Sequence, residues 1–284
     1  MHFMTVQKYN KLNQLQRILP EGLLVEAQWL EQVGYSRSLR SQYVTSGWLV
    51  QPARGVFQRP AGAINWQQVV ISLSLMGYPL SIGGLSALEL QGYAHYMPLG
   101  QSDIHLYSEK KLPAWVDKLP ISASFIQHNR SRFLPQVQMP ARTGSLTDPL
   151  LEGVGFKEAA LRINPWGQWN WPLVLSTPER AYLELLDELP ARQTFHMADV
   201  IMESLSNLSP RRLQTLLEQA SSIKVKRLFF FFAERHGHQW FSHIIQDKVE
   251  LGKGKRVLVK GGKLDTKYQI TVPAEYSGAS NDIG

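Results

Sequence analysis

Residues 34–58 read GYSRSLRSQYVTSGWLVQPARGVFQ, and this stretch decides how the first sixty residues fold. Gly34 breaks the helical spacing before it, Ser36 offers a side-chain oxygen to cap a new helix, and Leu39 and Tyr43, four apart, give that helix one buried edge. Arg37, Arg40, Ser41 and Thr45 then point away from that edge. Gly47 ends the helix, and Trp48-Leu49-Val50 and Val56-Phe57-Gln58 flank the turn Gln51-Pro52-Ala53-Arg54-Gly55, which predicts a short hairpin with an arginine at its tip. Working backwards, Leu12, Leu15 and Leu19, then Leu23, Ala27 and Leu30, recur at helical spacing and predict two amphipathic helices. Helix, helix, turn, helix and hairpin in this order make a winged helix-turn-helix.

The unit has the right size and charge for DNA. A helix from Ser36 to Ser46 would be about 16 Å long at ~1.5 Å per residue, enough to lie along a major groove roughly 12 Å wide. Arg37 and Arg40 sit in its first turns, where helices of this motif reach base edges and where arginine pairs two-pronged with guanine. Ser36, Ser41 and Thr45 complete the expected DNA-facing set, and Arg54 is placed for phosphate or the minor groove. The competing reading is a trihelical unit packed on protein, with its arginines solvated.

Composition bounds the rest. The 284 residues, 44% of them hydrophobic, suit about two packed domains. With no cysteine, disulfides, thiolate zinc sites and cysteine nucleophiles are excluded. The stretch Met-His-Phe-Met-Thr-Val-Gln-Lys has no apolar signal core, and the longest apolar run, Leu228 to Ala233, is far short of the ~20 residues of a membrane helix, so a cytoplasmic protein with no membrane partner is expected. The net charge of +7 suggests a polyanionic partner. It is concentrated at two ends: residues 1–60 carry seven Lys/Arg against three Glu, and residues 224–268 carry eleven against four acids.

The expected fold class is α+β: the winged unit (1–60), a mixed α/β middle (61–175), a helix-rich C-terminal region ending in a β-hairpin (176–273) and a mobile tail (274–284). In the middle, Trp66 to Met76 and Gly84 to Leu90 read as helices around a turn at Ser81-Ile82-Gly83. Ile104 to Tyr107, Ser122 to Ile126, Ala160 to Ile163 and Leu173 to Leu175 read as strands, and Pro135 to Pro149 as loop. Ser176-Thr177-Pro178-Glu179 marks a helix start with a capping residue, an early proline and a carboxylate. Helices follow over Met197–Leu205, Ser209–Ala220, Lys224–Arg235 and Gln239–Ile245. Four adjacent phenylalanines, Phe229 to Phe232, cover every side of one of them, which implies burial all round or one face given to a partner, with the core favoured. The closing hairpin is expected between Arg256–Lys260 and Tyr268–Val272, turning at Gly261-Gly262.

Three separated signatures in this order resemble the AbiEi-type antitoxins of type IV toxin-antitoxin systems, encoded in bacterial abortive-infection operons. They are Gly47-Trp48-Leu49 with Arg54-Gly55-Val56-Phe57; Leu85-Ser86-Ala87-Leu88-Glu89-Leu90-Gln91-Gly92-Tyr93; and Pro178-Glu179-Arg180-Ala181 with Leu185-Leu186, followed by Lys226-Arg227-Leu228, Ala233 to His238, and Val259 to Asp265 through Tyr268 to Pro273. The resemblance implies a winged-helix repressor that binds inverted repeats in double-stranded DNA before its own operon, and a C-terminal part that counters a nucleotidyltransferase-like toxin without requiring a tight complex. It implies a regulator in phage defence, not an enzyme. Carried onto matching positions, it sets Arg37, Arg40, Ser41 and Thr45 towards the groove and Arg54 on the backbone. A basic antitoxin surface would form around Arg227, Lys255, Lys260 and Lys263; the alternative is a solvated strand edge guarded by lysines.

Other constellations carry less. His236, His238 and His243 lie near a helix C-terminus, which favours histidine without a metal, so no metal or cofactor is expected. Glycines around Lys253 and Lys263 do not form a phosphate loop followed by a helix. Asp103 with Glu109 and Lys111 loosely match a metal-dependent nuclease, but a solvated charge run explains them better. A stand-alone regulator with a ligand-sensing C-terminal region is the main alternative function.

Overall fold

In the computed structural model, which describes residues 11–94, 102–129, 157 and 159–277, the chain opens on a helix α1 over residues 11–18. Strand β1 (Leu24–Glu26), helix α2 (Ala27–Gln32), helix α3 (Arg37–Thr45), and strands β2 (Val50–Ala53) and β3 (Val56–Gln58) follow. The three strands form an antiparallel sheet in the order β1-β3-β2. This is the winged helix-turn-helix, with two corrections to the sequence reading. The second amphipathic helix does not begin near Leu23: Gly22 turns the chain with φ 82, the buried run Leu23-Leu24-Val25 is extended, and the Leu24 amide donates to Ser72 Oγ at 2.9 Å. The hairpin is also tighter than expected. Gly55, with φ 78, lets the chain reverse over Arg54-Gly55 alone, so Gln51 to Ala53 join β2.

Behind the wing, α4 (Trp66–Leu75) starts in a capping box between Asn65 and Gln68 and packs on β1. A five-stranded sheet in the order β6-β5-β4-β8-β7 forms the next layer, from β4 (Leu80–Ile82), β5 (Ser102–Ser108), β6 (Ala123–Asn129), β7 (Leu161–Trp166) and β8 (Trp171–Ser176). Pairs β5–β6 and β4–β8 are parallel, and β4–β5 and β7–β8 antiparallel. Ser81-Ile82, expected in a turn, belongs to β4; both residues are buried, and the turn comes only at Gly83 and Gly84, before α5 (Gly84–Leu90). The expected loop over 135–149 lies outside the described residues.

Helix α6 (Pro178–Asp187) packs on β8 of this sheet, and α7 (Phe195–Ser204), α8 (Pro210–Gln219) and α9 (Ile223–His236) pack around α6. Thr194, Ser209 and Ser222 cap the last three through side-chain oxygens, and Gly237 ends α9 in the left-handed region at φ 56. All four phenylalanines of α9 are buried, as their adjacency implied. Residues Gln239–His243 form a 3-10 turn where a longer helix was expected. The closing hairpin is displaced: Lys263–Asp265 (β9) pairs antiparallel with Ile270–Val272 (β10), while of the expected strand Arg256–Lys260 only Arg256 bridges Ile270, and in parallel. Beyond that bridge, Thr271 Oγ1 takes the Leu258 and Val259 amides at 2.8 and 3.0 Å, so a side chain rather than a backbone ladder holds the segment there. Of the tail expected over 274–284, Ala274–Tyr276 is instead a further 3-10 turn with Tyr276 buried against Phe195 and Phe232, and residues 278–284 lie outside the described residues.

The main apolar core runs from Leu15 to Tyr276, beside a small second cluster of Ala159, Leu161 and Val174. Several polar groups are buried with it, most densely on the inner face of α6, where Glu179, Arg180 and Glu184 all lie inside. Arg180 Nε donates to Glu184 Oε1 at 2.7 Å and its Nη1 to the Ala159 carbonyl at 2.9 Å, while Glu184 Oε2 accepts the Gly84 amide at 3.0 Å. Glu179, on the same helix, is held by Arg212 Nη1 and the Ser209 amide. No helix among the described residues is long and apolar enough to cross a membrane.

Candidate nucleic-acid interface

Helix α3 is short, about 14 Å at ~1.5 Å per residue, and its two faces differ sharply. Ser36 caps it, accepting the Leu39 amide at 3.3 Å, and Tyr43 with part of Leu39 packs inward. Arg37, Ser38, Ser41, Gln42 and Thr45 are all exposed on the other side. Ser38 and Gln42 were missed on the sequence, although they are four apart and share the stripe with Arg37, Ser41 and Thr45. Glutamine adds a donor–acceptor pair of the kind that fits adenine in the major groove. Ser36 is spent on its cap, and the Thr45 hydroxyl donates back to the Ser41 carbonyl at 3.1 Å. Arg54 is exposed at the hairpin tip, and Trp48 and Val50 are exposed at its base.

Arg40 is not on this face. It is 6% exposed, and its Nη1 donates to the Tyr35 carbonyl at 2.7 Å and the Ala27 carbonyl at 3.3 Å, with its guanidinium 6.0 Å from the Phe57 ring centre. Three residues before Tyr43, it falls on the inward side of the helix, where a guanidinium can satisfy the carbonyls that the sharp turn leaves open. It therefore staples α3 to the start of α2 and to the wing rather than reading bases. Tyr35 completes the brace: its hydroxyl donates to the Lys11 carbonyl at 2.7 Å, and burial, with Tyr43 beside it, pushes its pKa up to about 12.

In the C-terminal region, Lys255, Lys260 and Lys263 are exposed, together with Lys253 and Arg256 and with the apolar Val257 and Leu264. Arg227 is not part of that surface. It is buried, and its guanidinium donates to four carbonyls, those of Leu251, Gly252, Gly254 and Gln269, at 2.7 to 3.1 Å. Like Arg40, it shapes a loop. Here the loop is Leu251 to Gly254, which carries Lys253 and leads into Lys255.

Asp103 and Glu109 stand at opposite ends of β5, about 20 Å apart at ~3.3 Å per residue, so no single metal ion joins them. His236 Nε2 lies 2.9 Å from Asp199 and His238 Nε2 2.7 Å from the Met202 carbonyl, so these rings are engaged separately. His105, His128 and Glu188, from three different elements, do bring metal-ligating atoms together.

Two family models cover the chain almost end to end: "Transcriptional regulator, AbiEi antitoxin N-terminal domain" over residues 8–99 and "Transcriptional regulator, AbiEi antitoxin, Type IV TA system" over residues 101–273. Among solved structures, the chain is similar to the RV2827C protein of Mycobacterium tuberculosis at 18% identity and a TM-score of 0.53, with 91% of this chain and 88% of that one covered. That likeness concerns the fold. No curated protein matches the chain.

Proposed function

The chain belongs to the AbiEi family of type IV toxin-antitoxin transcriptional regulators, and from that premise we propose that it is an antitoxin that also represses its own operon through α3 and the wing. The observation that carries the DNA half is the exposed stripe of Arg37, Ser38, Ser41, Gln42 and Thr45 on a helix braced from behind by Arg40 and Tyr35. Arg37 reads a base edge, Ser41, Gln42 and Thr45 add contacts in the groove, and Arg54 engages the backbone or the minor groove beside it. Paired half-sites in inverted repeats fit this reading, since the two-fold symmetry of an operator is met by two copies of the winged unit. The protein works in the cytoplasm, where operon DNA and its toxin are.

The antitoxin half rests on the C-terminal basic surface of Lys255, Lys260 and Lys263, the first of which directly follows the loop Leu251 to Gly254 that Arg227 organises. Its functional partner is a nucleotidyltransferase-like toxin, and the lysines suit either that toxin or a nucleic acid it acts upon. Two variants in one host separate the halves. Arg37→Ala is expected to derepress a reporter driven by the upstream region while still protecting cells that express the neighbouring toxin. The triple change Lys255→Glu, Lys260→Glu and Lys263→Glu is expected to do the reverse. Loss of both activities in either variant, with the protein folded, would contradict the division of labour.

A further inference from the structure

The described residues contain one cluster that the repressor and antitoxin readings leave unused. His105 lies on β5 and His128 on the parallel neighbour β6, where Tyr107 pairs with His128, so the two histidines fall diagonally across one sheet face. Glu188 caps the C-terminal end of α6 directly above them. His105 Nδ1 is 2.9 Å from Glu188 Oε1 and 3.0 Å from His128 Nε2, and His128 Nε2 is 3.5 Å from the same Glu188 oxygen. We propose that these three residues bind a divalent transition-metal ion of the zinc class, locking the end of α6 onto β5 and β6.

The distances carry the proposal. Around a tetrahedral ion with metal–ligand bonds of ~2.0–2.1 Å, neighbouring ligand atoms are about 3.3 Å apart, and the three edges of this triangle straddle that value. An ion seats over it with shifts of a few tenths of an ångström. Hydrogen bonding accounts for the triangle less well. A ring nitrogen carries either one proton or one lone pair, so His105 Nδ1 cannot complete good bonds to both neighbours, and every choice of tautomer leaves an edge unmet. A cation satisfies all three donors at once.

The surroundings fit a ligand as well. The His105 and Glu188 side chains are each 4% exposed and that of His128 18%, so the site is enclosed but reachable past His128. Glu188 Oε2 is buried without a hydrogen-bond partner among the described residues. An orphan carboxylate oxygen in the interior is costly, and a second bond to the ion relieves that cost. Tyr107 supplies outer support: its hydroxyl lies 3.4 Å from Glu188 Oε1 and its ring stacks on His128 at 4.7 Å between centres. Two imidazoles and one carboxylate select zinc, cobalt or iron over magnesium or calcium. Three protein residues leave a position for water or for Glu188 Oε2.

Because the ligands come from three elements, the site exists only in the folded chain, and metal binding must raise the folded state's stability. The test uses the full-length protein, free of any histidine tag and stripped with chelator. Cobalt is titrated while the visible absorption of a low-symmetry Co(II) centre is followed, and zinc uptake is measured by calorimetry with elemental analysis. The expected result is one equivalent of either metal and a higher melting temperature with zinc. His128→Gln, at the partly open ligand, and Glu188→Gln should each weaken binding by about tenfold or more, whereas His243→Gln should leave it unchanged. Circular dichroism checks that each variant folds, and His128→Gln carries the test if Glu188→Gln does not. The proposal is overturned if the wild type takes up no stoichiometric metal, if His128→Gln binds like the wild type, or if uptake follows His236→Gln and His238→Gln instead.

Discussion

Helices α3 and α6 carry polar residues at similar spacing and put them to opposite use. On α3, Arg37, Ser41, Gln42 and Thr45 face solvent. On α6, Arg180 and Glu184 face the core, and their charged atoms are met at 2.7 to 3.0 Å by each other, by the Ala159 carbonyl and by the Gly84 amide. Hydrogen-bonding capacity that the fold has already spent is architecture; capacity left on a rigid exposed face is what a partner can read. Arg40 and Arg227 belong with α6 by this measure, and Arg37, Arg54 and the C-terminal lysines with α3.

The contrast predicts a ranking of effects. Glu184→Ala leaves Arg180 charged in a site where both side chains are at most 1% exposed, and should cost about 3–5 kcal/mol of stability in urea unfolding. A loss under about 1 kcal/mol would break the assignment of α6 to architecture. Arg40→Met should cost about 1.5–3 kcal/mol for its bonds to carbonyls. Arg37→Ala should leave stability within about 0.5 kcal/mol yet weaken specific DNA binding by about 1–3 kcal/mol and change sequence preference. Equal losses on specific and random DNA for Arg37→Ala would show that it contacts phosphate only.

Two smaller effects sharpen the same comparison. Tyr35 titrates near 10 when unfolded and at about 12 in the fold, so the native state holds this proton more tightly and its contribution is intact below pH ~10. Stability should therefore fall as pH rises from about 10 towards 12, and Tyr35→Phe should flatten that part of the curve in alkaline urea titrations. An unchanged slope would mean that Tyr35 is not the titrating brace. Least of all, Ser209→Ala removes a helix cap and should cost about 1 kcal/mol, while Ser41→Ala, on the exposed stripe, should stay within about 0.5 kcal/mol.

Periodicity made much of this legible. The start of α3 at Ser36, the limits of α5, the proline at the start of α6 and the burial of Phe229 to Phe232 all follow from local spacing and capping. What it could not assign was the direction of an arginine. Arg40 and Arg227 look like surface charge because the carbonyls they serve lie five to forty-two residues away. Strand β1 was hidden because Leu23, Ala27 and Leu30 also satisfy a helical template, and only pairing with β3 selects the extended form. The His105, His128 and Glu188 cluster was out of reach for the same reason. Its members are separated by 23 and 60 residues in the sequence, and its one local trace is a histidine in each of two apolar strands.

The central claim is that the exposed face of α3 reads specific DNA. The most direct test is a DNase footprint of the purified protein on its own upstream region at low and at physiological salt. Two protected half-sites in inverted orientation that persist at the higher salt, and that Arg37→Ala removes, are the predicted result. Salt-sensitive coating with no footprint would contradict it, because phosphate contacts alone would then account for all the binding.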